Sequence, residues 1–178
     1  MIIEDRDQAT WSDSIRVGDI VAFRFPHETD GDELPKVRPT LVLEVDVICG
    51  KRHVTLAYGT TSPRRCRGEA YTIDVYGAEE IAEASLRRPT RFYGARRLRV
   101  SCDNSWFGLG RDRGTPKIGR LSGESLERLL AVRARIHAER DIRADRTRQR
   151  RTLRRGLRPV TVERRRAGKR PIRELRHV

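Results

Sequence analysis

Gly18-Asp19-Ile20-Val21-Ala22-Phe23-Arg24-Phe25-Pro26 is the stretch on which the fold turns. Val21, Phe23 and Phe25 alternate with Ala22 and Arg24, the period-two pattern of a strand with one apolar face. Pro26, which has no N–H for a ladder, ends it. Moving outward, Thr40-Leu41-Val42-Leu43-Glu44-Val45-Asp46-Val47 and Val54-Thr55-Leu56-Ala57-Tyr58 read as two further strands turned by Cys49-Gly50-Lys51, a hairpin. Gly59-Thr60-Thr61-Ser62-Pro63 breaks the third strand, Tyr71 to Val75 makes a fourth, and Ala78 to Ala84 reads as a short helical turn. An arginine-crowded fifth strand spans Phe92 to Val100, followed by a glycine-rich irregular loop from Ser101 to Pro116 that carries Trp106 and Phe107. Between the first two strands lies a polar loop, His27 to Val37, long enough to suggest a functional role.

Ser122-Gly123-Glu124-Ser125 has the makings of a helix start. Ser122 is a candidate cap, Glu124 sits at the positive dipole end, and Leu121 can staple to Leu126. Leu126, Leu129, Leu130, Val132 and Ile136 supply an apolar face. Arg143, Arg146, Arg150 and Arg154 continue the helical spacing to Gly156, and disorder is expected beyond Pro159. Several short strands with one terminal helix predict a mainly β (α+β) fold, a small SH3-like β-barrel over residues 1–136 with a basic, Arg-rich helical or disordered tail over 137–178.

The chain has 178 residues, enough for one domain and an appendage, and carries a formal charge of +14. That charge is unevenly spread: residues 1–136 hold 23 Lys and Arg against 20 Asp and Glu, and residues 137–178 hold 16 against 5. Such a surplus attracts phosphate and releases its condensed counterions, so the expected partner is a nucleic acid, RNA ahead of DNA. Cys49, Cys66 and Cys102 form no C-x-x-C pair and leave an odd count, against a disulfide framework or a thiolate zinc site. No metal-binding spacing of His, Cys and carboxylates stands out, and no cofactor is implied. With no secretory leader and no apolar run near the roughly 18 residues of a membrane span, a cytoplasmic protein that does not enter the membrane is expected.

The chemistry concentrates in three ordered pieces: G-D-I-V-x-F-x-F-P at Gly18 to Pro26, R-P-T-L-V-L at Arg38 to Leu43, and A-Y-G-T-T-S at Ala57 to Ser62. With the closing I-G-R-L-S-x-E-S-L-x-R-L-L of Ile118 to Leu130, this set resembles the MazF/PemK family of toxin endoribonucleases over roughly Val17 to Ile136. The resemblance implies an SH3-like barrel that forms a homodimer, cuts single-stranded RNA such as mRNA without metal, and is neutralised by a cognate antitoxin. It also places Thr60 at the catalytic threonine of the MazF branch and Glu33 at that branch's acidic catalytic residue. Arg91 matches a functional arginine of the PemK branch, but the aspartate expected two residues later is Tyr93.

The residues themselves suit that chemistry. Attack of a 2′-hydroxyl on the adjacent phosphate needs a base, an acid for the leaving oxygen and a cation for the growing phosphorane charge. Arg38 is the best cation, since arginine stays charged and meets phosphate in a bidentate fork, and Pro39 stiffens its backbone. Glu33 is the first choice for base and His27 the alternative, its pKa being suited to the task. Thr61 and Ser62 add hydroxyls for RNA, Arg91, Arg96 and Arg97 add charge, and Trp106 is a base-stacking surface, a core plug or a dimer contact. His53, beside a strand, reads as structural. A second reading stays open: a non-catalytic RNA- or ribosome-binding module bound through Arg91, Arg96, Arg97 and the tail.

Overall fold

The computed structural model describes residues 11–26, 34–62, 69–109, 114–156, 161–164 and 172–175. Its centre is an antiparallel sheet of six strands: β1 (Asp19–Phe23), β2 (Arg38–Ile48), β3 (Lys51–Thr60), β4 (Thr72–Val75), β5 (Thr90–Ser101) and β6 (Lys117–Arg120). They lie in the order β4-β5-β3-β2-β1-β6. A short helix, Ala78–Glu83, joins β4 to β5, and a long helix, Gly123–Gly156, follows β6. The fold is mainly β, of the α+β type.

β2 and β3 close through a two-residue turn at Cys49 and Gly50, whose φ values of 50° and 76° match the twist of the flanking strands. Both faces of the sheet are covered. Val21, Phe23, Phe25, Val42, Val54 and Leu56 form one core with Trp11, Ile15 and Val100. The intervening rows, among them Ile20, Leu41, Ala57, Ile73 and Phe92, are buried on the other face. β1 is therefore buried along its whole length, as its apolar run requires.

The expected barrel does not close. β4 and β6 are the two edges of the sheet, and neither hydrogen-bonds to the other. The segments that lie at these edges explain why. Gly119 of β6 faces the Ala84 carbonyl so closely that a Cβ there would come within 2.2 Å of it. Along β4, Arg128 of the long helix donates from Nε to the Thr72 carbonyl at 3.0 Å, where a closing strand would have bonded. The short helix and the first two turns of the long one thus stand where a barrel seam would run.

The start of the long helix also differs from expectation. The Ser122 hydroxyl does not cap it but bonds the Glu83 carboxylate, while Oε1 of Glu80 accepts from the Ser125 N–H at 3.0 Å. A carboxylate from a neighbouring helix does the capping, with the favourable sign for the positive dipole end.

The chain divides into two compact units, Met1–Arg135 and Ile136–Val178. The second contains the remainder of the long helix and an antiparallel pair, β7 (Thr161–Arg164) with β8 (Ile172–Leu175). The disorder expected beyond Pro159 does not hold for those eight residues. Neither quartet alternates at period two, but Thr161, Val162 and Ile172 are β-branched residues of the kind that favour extended backbone. No helix among the described residues is long and apolar enough to cross a membrane.

Candidate functional site

Cross-strand register brings the sequence-predicted residues into one row. Thr40 pairs with Tyr58, so two positions further along Arg38 of β2 stands level with Thr60 of β3. Thr60 pairs with Arg91 of β5, and Arg91 pairs with Asp74 of β4. Directly opposed residues of antiparallel strands point to the same face. Arg38, Thr60, Arg91 and Asp74 therefore share one face of the sheet across four strands.

The backbone under this row is fixed by a close approach. At Gly59, a Cβ would lie 2.2 Å from the Pro39 carbonyl oxygen and 2.8 Å from the Phe92 ring. Glycine is what lets β2 and β5 crowd β3 here. Beside Pro39, the Thr40 hydroxyl donates to the Val21 carbonyl at 2.9 Å, which pins the entry of β2. The Arg38 backbone is thus held on both sides.

Each side chain of the row is set differently. The Thr60 hydroxyl oxygen accepts from the Ser62 N–H at 3.1 Å, leaving its own O–H to donate. Arg91 is gripped side-on by Asp74, Nε to Oδ1 at 2.5 Å and Nη2 to Oδ2 at 2.9 Å. That bond, first among the influences on it, raises the Arg91 pKa further above its ordinary value, with a smaller contribution from the Tyr93 hydroxyl. Tyr93, where the resemblance leads one to expect an aspartate, is buried, and the carboxylate beside Arg91 comes from β4.

Arg38 and Arg96 are held in another way. The Arg38 guanidinium lies 5.9 Å from the Tyr58 ring centroid, and that of Arg96 lies 4.4 Å from the same ring and 5.8 Å from Phe25. Arg96 reaches Tyr58 because Tyr93 pairs with Tyr58 whereas Arg97 pairs with Ala57. β5 spends three extra residues there, and Gly94-Ala95-Arg96 bulge from the ladder. Arg97 donates from Nη1 to the Gly94 carbonyl at 3.0 Å, inside the same bulge.

Among the other expected site residues, Thr61 and Ser62 are exposed just past β3. Trp106 packs on Phe23, centroids 6.3 Å apart, at the margin of the core. His27 and Glu33 lie outside the described residues. Two residues of the site were missed by sequence reasoning, Asp74 and Tyr58. Tyr58 carried a readable signal, since it precedes Thr60 by two in a strand and must share its face. Asp74 carried none, because only the pairing of β4 with β5 brings it to Arg91.

Beyond β4 a pocket of about 430 Å³ shares Asp74 with the row and is lined also by Thr72, Tyr76, Glu80, Glu124 and Arg128. Taken together, the fold and site define an open antiparallel sheet of the α+β type with a cationic and aromatic face. No family model matches the chain, and no curated protein is significantly similar to it.

Proposed function

We propose that the chain is a metal-independent endoribonuclease of the toxin type, cutting single-stranded RNA by attack of a 2′-hydroxyl on the adjacent phosphate. It acts in the cytoplasm as a homodimer and is neutralised by a cognate antitoxin. The observation that carries this reading is the alignment of Arg38 and Thr60 on neighbouring strands, a charged fork beside a hydroxyl donor on a backbone locked by Gly59. Arg38 would stabilise the charge that develops on the phosphorane, and the Thr60 O–H would donate to a non-bridging oxygen. The base is Glu33 first and His27 second. As the 2′-oxygen bonds phosphorus the P–O5′ bond breaks, leaving a 2′,3′-cyclic phosphate and a 5′-hydroxyl that takes its proton from the protonated base or from water. Thr61 and Ser62 extend the hydroxyl track along the strand exit, and Arg96 and Arg97 extend the charge.

One observation favours the second reading, a non-catalytic RNA- or ribosome-binding module. Arg91, a functional residue in the PemK branch by resemblance, has two of its donors committed to Asp74, which argues against a catalytic part for it and leaves the binding to Arg96, Arg97 and the tail. The two readings separate in cells. Inducing the protein should arrest growth and leave RNA fragments with 5′-hydroxyl ends; arrest with intact RNA would select the binding module.

A further inference from the structure

Three arginines share this face of the sheet, and they are held by two kinds of partner. Arg91 is held by a carboxylate, which consumes Nε–H and one Nη2–H. Arg38 and Arg96 are held by the ring of Tyr58. Among the described residues no carboxylate lies within ion-pair distance of either, and one Arg96 Nη2 contact to the Pro26 carbonyl, at 3.4 Å, is long. An aromatic face attracts a guanidinium through its quadrupole but takes none of its in-plane N–H donors. A ring thus keeps a cation in place while leaving its fork open to an anion.

We propose that Tyr58 is the positioning residue of the site, its ring holding Arg38 and Arg96 together so that both forks bind phosphates of one RNA strand. Two like charges gathered on one ring without a carboxylate repel each other, and a bound polyanion relieves that repulsion. Edge-to-face packing against Phe25, centroids 5.4 Å apart, fixes the ring, and the β5 bulge delivers Arg96 to it. Since Tyr58 lies two residues from Thr60 on the same strand, the ring also sets where the bound strand runs relative to the Thr60 hydroxyl. Arg91, by contrast, is a structural neighbour of the bound strand with its Nε edge closed. This inference rests on RNA being the ligand.

The test is binding of a random-sequence, fully 2′-O-methylated single-stranded RNA, which lacks the attacking hydroxyl, followed by fluorescence anisotropy across a range of salt. Tyr58→Phe keeps the ring and should bind within about twofold of the unaltered protein. Tyr58→Leu and Arg96→Gln should each bind about tenfold more weakly. Arg96→Gln should also lower the log–log salt slope by about 0.7, one phosphate contact for a single strand, and Tyr58→Leu by up to about twice that, since it releases both forks. The double variant should bind no more weakly than Tyr58→Leu alone, because loss of the ring already releases Arg96. Arg96 is exposed, so its variant carries the test even if Tyr58→Leu fails to fold. Unchanged affinity and slope in Arg96→Gln, or equal loss in Tyr58→Phe and Tyr58→Leu, would overturn the inference. Failure of the unaltered protein to bind the RNA would instead overturn the RNA reading on which it stands.

Discussion

Asp74 grips Arg91 side-on from the neighbouring strand, with the two carboxylate oxygens 2.5 and 2.9 Å from Nε and Nη2. The side chains are 30% and 20% exposed, so the pair is neither fully solvated nor sealed from water. Removing one partner strands the other in a half-dry place. Asp74→Asn should cost about 1–3 kcal/mol of stability. Adding Arg91→Gln to it should restore part of that loss, which a urea-denaturation double-mutant cycle measures. Additive losses would show that the pair contributes nothing of its own.

Gly59→Ala should be far more damaging than its single methyl suggests. The new Cβ would meet a backbone oxygen, that of Pro39, which cannot rotate away as a side chain does. A loss of about 3 kcal/mol in thermal or denaturant melts is expected, with the row of Arg38 and Thr60 displaced. A variant melting within a degree or two of the parent would contradict the close approach.

The thiols should separate by reactivity. Burial pushes the Cys102 thiol up from its ordinary value of 9.0 to about 11, while Cys49 is exposed in its turn. At pH 8, iodoacetamide should label Cys49 in the native protein and reach Cys102 only after unfolding. The sign for stability follows from the raised value. The unfolded thiol ionises first, so the contribution of Cys102 is intact below pH 9 and is lost as pH rises toward 11. Equal labelling rates at the two cysteines would refute the assignment.

Much of the fold could be read from alternation alone. β1 to β5 follow from period-two runs such as Val21, Phe23 and Phe25, and the long helix from its leucine spacing. β6 could not be read: Lys117-Ile118-Gly119-Arg120 has no strand pattern and is a strand only because β1 offers it a free edge. Barrel closure failed for a related reason, since nothing local announces that Arg128 will occupy the edge of β4. The site divides the same way. Arg38 and Thr60 were legible as motif residues, whereas Asp74 and the bulge that carries Arg96 depend on register between strands distant in sequence.

The basic second unit should contribute RNA affinity and no chemistry. Arg143, Arg146 and Arg150 are exposed along the long helix, and residues 137–178 hold eleven more cationic than acidic side chains. Replacing the three by Gln in the full chain should weaken RNA binding and flatten its salt dependence by up to about 2 in the log–log slope. Turnover at saturating RNA should be unchanged, since no reacting group is touched. An unaltered slope would redirect the tail to an acidic protein partner.

The central claim, that Arg38 stabilises the transition state of RNA cleavage, meets its most direct test in single-turnover cutting of single-stranded RNA in EDTA, run beside a thermal melt. The unaltered protein should cleave and leave 5′-hydroxyl ends. Arg38→Ala should slow the reaction by roughly a hundredfold or more at an unchanged melting temperature, because it removes charge stabilisation from the start of β2 without touching the core. Equal cleavage by Arg38→Ala, or loss of all cleavage in EDTA, would contradict the account.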